Sequence, residues 1–293
     1  MARSCTLVRE DREEITVKKF FRIFITVLIF AVVILGGLYL IQDSMVFLHV
    51  RDERSRAFLA PIDRFTEVQF VGSNGKTYHG MLHQPKDEIL PLIIYFGGNG
   101  EVSHTHMRMR ETFGHWGLFD GFHYLFVDYD GYGLNEGRAH YQNMYEGALE
   151  IFDYAKNLPF VDDTRIVVMG FSIGTGSAVY MAAHRPVAAA ILLTPFANGY
   201  DLYNNLLPIF HGPMRLLVRQ KLPSDLHAPN ITVPTLIIAS RADEIIPFAS
   251  SQRLADLVGG ETTFIDIDGV SHNGMFVDAT VLEEIPLFLD SIR

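Results

Sequence analysis

The 293-residue sequence predicts an α/β fold: a mostly parallel, mixed sheet with helices on both faces, preceded by one N-terminal transmembrane helix. Three observations carry this. Residues 23–41 form a run without one charge. From residue 90 onward, short continuous apolar strands alternate with helical stretches, the pattern of a parallel sheet covered on both faces. Ahead of them, an Asn-Gly turn between two alternating segments announces an antiparallel hairpin, which makes the sheet mixed.

The first element is the run from Ile23 to Ile41. Nineteen residues at ~1.5 Å rise give roughly 28 Å of helix, close to the hydrocarbon thickness of a bilayer. Against a buried core helix, no face of the run is polar, and it stands ahead of the first recognisable domain element. A cleavable signal peptide would have a shorter apolar region, and no A-x-A-like site follows. Arg3, Arg9, Arg12, Lys18, Lys19 and Arg22 precede the span, whereas Arg51, Arg54 and Arg56 follow it. The positive-inside rule therefore keeps the tail 1–22 cytoplasmic and puts the C-terminal part on the opposite side. Gly36-Gly37 lacks the small-x-x-x-small spacing of a dimerising helix, so the span reads as an anchor. A connector, 42–63, leads to a domain at 64–293.

In that domain Thr66–Val71 and Thr77–His83 flank Ser73-Asn74-Gly75-Lys76. An apolar strand, Leu90–Phe96, ends at Gly97-Gly98-Asn99-Gly100, and a helix is expected from about Glu101 to His115. Strand Tyr124–Asp128 is followed by a helix from about Met144 to Asn157. Strand Arg165–Met169 leads through a glycine turn to a helix over about Gly174–Ala183. Strands Ala188–Leu193 and Thr235–Ala239 enclose an irregular insert, expected as a short cap at about 195–233. Its Phe196, Tyr200, Tyr203, Leu206, Leu207 and Phe210 suggest an apolar acyl site. Thr262–Ile267 is the last strand and Val281–Ile292 the closing helix.

Charge and cysteine content exclude whole classes. The chain carries −10 overall; residues 1–22 hold a surplus of two positive charges, which leaves −12 on the remainder. A domain of that sign has no electrostatic footprint for nucleic acid. A single cysteine, Cys5, excludes an internal disulfide and a Cys-based zinc cluster.

Functional loops of such sheets lie at the carboxyl ends of the strands. Strand Arg165–Met169 runs into Gly170-Phe171-Ser172-Ile173-Gly174, a G-x-S-x-G turn that lifts a serine oxygen clear of the sheet at a helix N-terminus. The G-x-x-x-G-x-G spacing of Gly170, Gly174 and Gly176 also fits a dehydrogenase cofactor loop. That loop opens the first βα unit of its domain, and no Tyr-x-x-x-Lys accompanies it here. A serine nucleophile needs a base and a group to orient it. Asp243 follows strand Thr235–Ala239, and His272 follows strand Thr262–Ile267. The order Ser172, Asp243, His272 gives a candidate triad, with Asp266, Asp268 or Glu244 as replacement acids. An oxyanion hole would take its N–H donors from Ile173 and from Asn99 in the glycine turn. His104 and His106 do not share a helix face and suggest no metal site. The chemistry calls for no cofactor.

On Y-F-G-G-N-G-E at 95–101, D-Y-D-G-Y-G-L-N-E-G at 128–137, G-F-S-I-G at 170–174, V-P-T-L-I-I-A-S-R-A-D-E-I-I-P at 233–247 and S-H-N at 271–273, the chain resembles the α/β-hydrolase superfamily. More narrowly it resembles single-pass, membrane-anchored hydrolases often labelled serine-aminopeptidase-like. The resemblance covers about Glu67 to Arg293 and implies that family's fold and a serine hydrolase activity. Three motifs depart from the family pattern. Gly97 replaces a usual histidine, Asp130 replaces a usual arginine, and Ala239-Ser240 replaces a usual His-Gly. The expectation is a membrane-tethered serine hydrolase of an acyl ester, thioester or amide, with a small acyl or lipid substrate and the bilayer as partners. An acyltransferase using the same triad, and a non-catalytic scaffold retaining the fold, are the alternatives.

Overall fold

The computed structural model describes residues 2–50 and 64–292, with side chains from 18 onward save those of 45, 113 and 206. The side chain of Cys5 and the connector residues 51–63, with Arg51, Arg54 and Arg56, lie outside the described residues. The chain divides into two units, Met1–Gln42 and Asp43–Arg293.

Helix α1 (Ala2–Val46) contains Lys18–Ser44, which is long and apolar enough to cross a membrane, with a mean hydropathy of 2.8. Large apolar side chains project on all sides of it, Phe30 and Leu40 among them. A helix apolar all round belongs in a protein core or a membrane span, and the apolar window of this one is unburied. It runs past Ile41 because Gln42-Asp43-Ser44 holds neither proline nor glycine. From Asp43 the chain belongs to the second unit. Asp43 accepts a 2.6 Å hydrogen bond from Gln220 Nε2 and pairs with Arg219 at 3.2 Å. Phe47 is buried in the core. Part of the expected connector is thus packed structure.

Eight strands form one sheet in the order β1-β2-β4-β3-β5-β6-β7-β8. They are β1 (Phe65–Val71), β2 (Thr77–His83), β3 (Leu90–Phe96), β4 (His123–Val127), β5 (Val161–Phe171), β6 (Ala189–Leu193), β7 (Thr235–Ser240) and β8 (Thr262–Ile267). The β1–β2 and β2–β4 pairs are antiparallel and all others parallel. Strand alternation assigns alternate residues to two apolar layers. Ile94, Val168, Leu192 and Ile237 pack with α3 (Tyr141–Ala155) and α4 (Gly174–His184). Ile93, Val167, Ile191 and Ile238 pack with α2 (Ser103–Phe113) and the closing helix.

Local chemistry sets the helix ends. Gly114, at φ 68°, takes the left-handed conformation that stops α2 before His115. His140 accepts the Gln142 N–H and starts α3 three residues before Met144. The insert between β6 and β7 carries α5 (Gly199–Leu206), capped by Asn198, a 3-10 segment (Gly212–Leu217) and a single turn, α6 (Ser224–His227). Helix α7 (Phe248–Leu257) has no counterpart among the expected elements. It is short and polar, and its apolar burial rests on Leu254, too little for a visible period. Asp278 caps α8 (Ala279–Asp290) through the Thr280 and Val281 amides.

The strand order positions the site. After β3 the chain crosses to β4 on one side, then returns to β5 on the other. The crossovers diverge at β3 and leave a crevice where the loops after β3 and β5 meet, a topological switch point.

Candidate active site

Ser172 lies between β5 and α4 with φ 53°, one of three described non-glycine residues at positive φ. For a residue with a Cβ this conformation is strained and needs surrounding support. Support comes from the Ser172 amide, which donates to Leu193 O at 3.0 Å, and from Ser172 O, which accepts Thr175 Oγ1 at 2.7 Å. The flanking glycines are needed for close approach. A Cβ on Gly174 would stand 2.1 Å from Phe96 O, and one on Gly170 would stand 2.8 Å from Gly174 O.

Ser172 Oγ lies 2.8 Å from His272 Nε2, and His272 Nδ1 lies 2.8 Å from Asp243 Oδ2. A carboxylate can only accept, so Nδ1 carries the proton and Nε2 faces the hydroxyl as acceptor. Asp243 Oδ1 accepts the Ile245 and Ile246 amides, both at 2.8 Å. That fork fixes the carboxylate, whose side chain is 2% exposed. Of the other acids considered, Asp266 and Asp268 face Arg241. Glu244 accepts the His272 backbone N–H at 3.0 Å, which lowers its pKa and ties the histidine loop to the acid loop. Ser240 adds a second tie, donating to Val270 O at 2.6 Å and accepting the Ala242 amide.

The glycine turn after β3 abuts the serine. A Cβ on Gly98 would meet the Phe171 ring at 2.8 Å and Ser172 Cβ at 3.7 Å. Ile173 N–H, at the start of α4, and Asn99 N–H have no hydrogen-bond partner among the described residues. The turn is ordered by a residue that the sequence reading passed over. Glu101 Oε2 accepts the Gly98 amide at 2.7 Å and the Tyr95 hydroxyl at 2.8 Å. A Cβ on Gly97 would stand 2.6 Å from Phe126 Cζ and 2.9 Å from Glu101 Oε2, so the place of the family histidine is already filled. Asp130, the second departure, pairs with Lys76 at 2.6 Å. The available signal for Glu101 was an acid set directly after a glycine turn.

Behind Glu101 stands a relay on α2. Arg110 Nε donates to His106 Nε2 at 2.7 Å, which leaves the His106 proton on Nδ1, 3.6 Å from Glu101 Oε1. Burial and the neighbouring Arg110 cation lower the His106 pKa to about 4, so the ring is neutral at pH 7. Burial alone would raise Glu101, but His106, Tyr95 and the Gly98 amide outweigh it and lower the carboxyl to about 2. His104 turns elsewhere, to Glu67 at 3.1 Å.

A cavity of about 560 Å³ adjoins this assembly, lined by Leu48, Val50, the 99–101 turn, one face of α2, Phe171, Asn273, Phe276 and Val277. It takes no residue from the insert. Phe196, expected in an acyl site, is buried in the core, and Leu207 is exposed. Tyr203 packs on Phe210, and Tyr200 lies under Arg215.

The family model of acetyl xylan esterase (AXE1) matches residues 126–206, from β4 to the end of α5. An uncharacterized protein of Mycobacterium tuberculosis is 31% identical over 195 residues, 67% of this chain and 66% of its own length. The α/β hydrolase domain-containing protein aho-3 of Caenorhabditis elegans is 28% identical over 56% of this chain and 47% of its own. The chain thus spans about half to two thirds of these relatives. Among solved structures, the acetyl xylan esterase of Paenibacillus sp. R4 superposes with a TM-score of 0.62 at 16% identity, covering 85% of this chain and 98% of that one. By strand order, fold and relatives, this chain belongs to the α/β-hydrolase superfamily, with an esterase-like α/β fold.

Proposed function

We propose that the protein is a membrane-tethered serine hydrolase that cleaves an acyl ester, thioester or amide through Ser172, His272 and Asp243. The observation that carries this reading is the linked pair of 2.8 Å contacts, Ser172 Oγ to His272 Nε2 and His272 Nδ1 to Asp243. Ser172 attacks the carbonyl carbon as His272 takes its proton. Asp243 holds the tautomer and stabilises the imidazolium that forms. The negative oxygen of the tetrahedral intermediate sits between the Asn99 and Ile173 N–H groups, both free of other partners. His272 then returns the proton to the leaving group. Water, deprotonated by the same ring, releases the acyl group from Ser172.

Acetyl xylan esterase relatives favour an ester with a small acyl group. The apolar stretch Lys18–Ser44 supports tethering, and the flanking charges support a cytoplasmic N-terminus with the hydrolase unit across the membrane. The test is labelling of the detergent-solubilised protein with a fluorophosphonate probe, beside Ser172→Ala. Labelling of the parent alone is expected. A folded parent that takes no label would sink the proposal.

A further inference from the structure

The reading of Ser172 as a nucleophile leaves one buried charge without a task. Arg110 is 4% exposed, yet only its Nε is hydrogen-bonded; both terminal nitrogens, Nη1 and Nη2, are buried without a partner. Its charge is steadied by the rings of Phe119, Phe276, Tyr124 and Tyr95, whose centroids lie 4.8, 5.1, 5.5 and 5.9 Å from Cζ. The Tyr124 hydroxyl also lies within reach of the guanidinium, but among the described residues no carboxylate or carbonyl meets Nη1 or Nη2. Glu101 lies beyond His106 and is already committed to Gly98 and Tyr95. The side chain lines the 560 Å³ cavity that also takes in Asn99 and Phe171, the residues beside the oxyanion position and the nucleophile.

Resting on the serine hydrolase reading, we infer that Arg110 is the specificity residue for a carboxylate carried by the substrate, a short spacer away from the scissile carbonyl. The two free nitrogens form one planar edge, and a carboxylate matches that edge with two parallel hydrogen bonds. Nε is occupied by His106, so this edge is the one left to offer. Phe276 covers it. That ring is half-buried, belongs to the 3-10 segment that starts at His272, and packs 4.8 Å from Phe171. Turning it opens the guanidinium to the cavity and sets the anion next to the catalytic histidine loop. The remainder of the chain carries −12, so its overall field repels anions, and any preference for one must be local.

The test compares matched esters that differ only in charge. Mono-4-nitrophenyl adipate is set against its methyl diester, and 4-(butyryloxy)benzoate against its methyl ester, so that the carboxylate lies on the acyl or the alcohol side. The full-length protein should favour the charged member of at least one pair by tenfold or more in kcat/KM, and the ratio should persist at 0.5 M salt. In Arg110→Met the ratio should fall to about one, and Arg110→Lys should restore part of it. Equal rates for both members of each pair, or an unchanged ratio in Arg110→Met, would overturn the inference. Fluorophosphonate labelling of each protein separates the two readings: a labelled enzyme without charge preference loses only the Arg110 assignment. If no ester turns over, titration of monomethyl adipate into the parent and Arg110→Met by calorimetry decides. Binding by the parent alone supports the site, and binding by both or by neither removes it.

Discussion

The Leu48 amide donates a 2.8 Å hydrogen bond to Asn99 Oδ1 across 51 residues of sequence, joining the segment that follows α1 to the turn beside Ser172. The same oxygen accepts the Tyr132 hydroxyl at 2.8 Å, and Asn99 Nδ2 donates to Val46 O at 2.7 Å. The side chain of Asn99 therefore holds its own backbone N–H in place. Each bond contributes about 1 kcal/mol net. Asn99→Ala keeps the backbone N–H and loses the three ties, so kcat should fall roughly ten- to hundredfold with KM little changed. Steady-state kinetics on a 4-nitrophenyl ester checks this, and an unaltered kcat would show that the turn needs no such clamp.

Asp243→Asn should leave the fold intact and lower kcat by about 10³–10⁴. An amide at this position donates as well as accepts, and the tautomer with the proton on the nitrogen facing Ser172 becomes accessible. The Ile245 and Ile246 amides still find the retained carbonyl oxygen. Circular dichroism beside the rate measurement separates lost catalysis from lost structure.

Gly174→Ala should destabilise strongly, because its Cβ would stand 2.1 Å from Phe96 O and 2.6 Å from Gly97 O, both backbone. Overpacking of this kind costs about 1–3 kcal/mol or more. Gly75→Ala has open space, although its φ of 77° adds some strain, and should cost less. Urea midpoints of the two variants give the comparison, and equal losses would contradict the close approach of β3 to the turn around Ser172.

His106 makes the fold acid-sensitive. Its pKa is lowered from 6.5 to about 4, so between those values the unfolded chain binds a proton that the folded chain refuses. Stability is then fully present above pH 6.5 and is lost as pH falls toward 4, by on the order of 3 kcal/mol. Glu101, lowered from 4.5 to about 2, extends the loss below pH 4.5 in the same direction. His106→Gln keeps an acceptor for Arg110 and should flatten the fall in Tm between pH 6.5 and 4.5. An identical slope in that variant would assign the acid loss elsewhere.

Alkaline carbonate should leave the full-length protein in the membrane pellet, and deletion of 23–41 should release it. Nineteen uncharged residues bury enough apolar surface to resist extraction that strips peripheral proteins. Release of the intact chain by carbonate would oppose a spanning helix.

Much of the fold could be read along the chain. The covered strands declare themselves as apolar runs because both faces of each must leave water, and the Asn-Gly turn declares the leading hairpin. Ser172, Asp243 and His272 could be proposed because each follows a strand, and a strand end is a local feature. The strand order, with β4 between β2 and β3, was not legible, since pairing depends on which edges meet after the crossovers pack. The place of Glu101 was hidden in the same way. Its partners Tyr95 and Gly98 are near in sequence, but the space it fills at Gly97 is bounded by Phe126 from the neighbouring strand.

The sequence by itself determined the apolar span, the doubly covered sheet and the residue types at its strand ends, because periodicity and turn chemistry act within a few residues. Only the tertiary structure decided that Asn99 is clamped by the 46–48 segment and that Arg110 is caged beside the site with two nitrogens unmatched. Those relationships join side chains from separate elements, and no local pattern encodes the distance at which two packed elements come to rest.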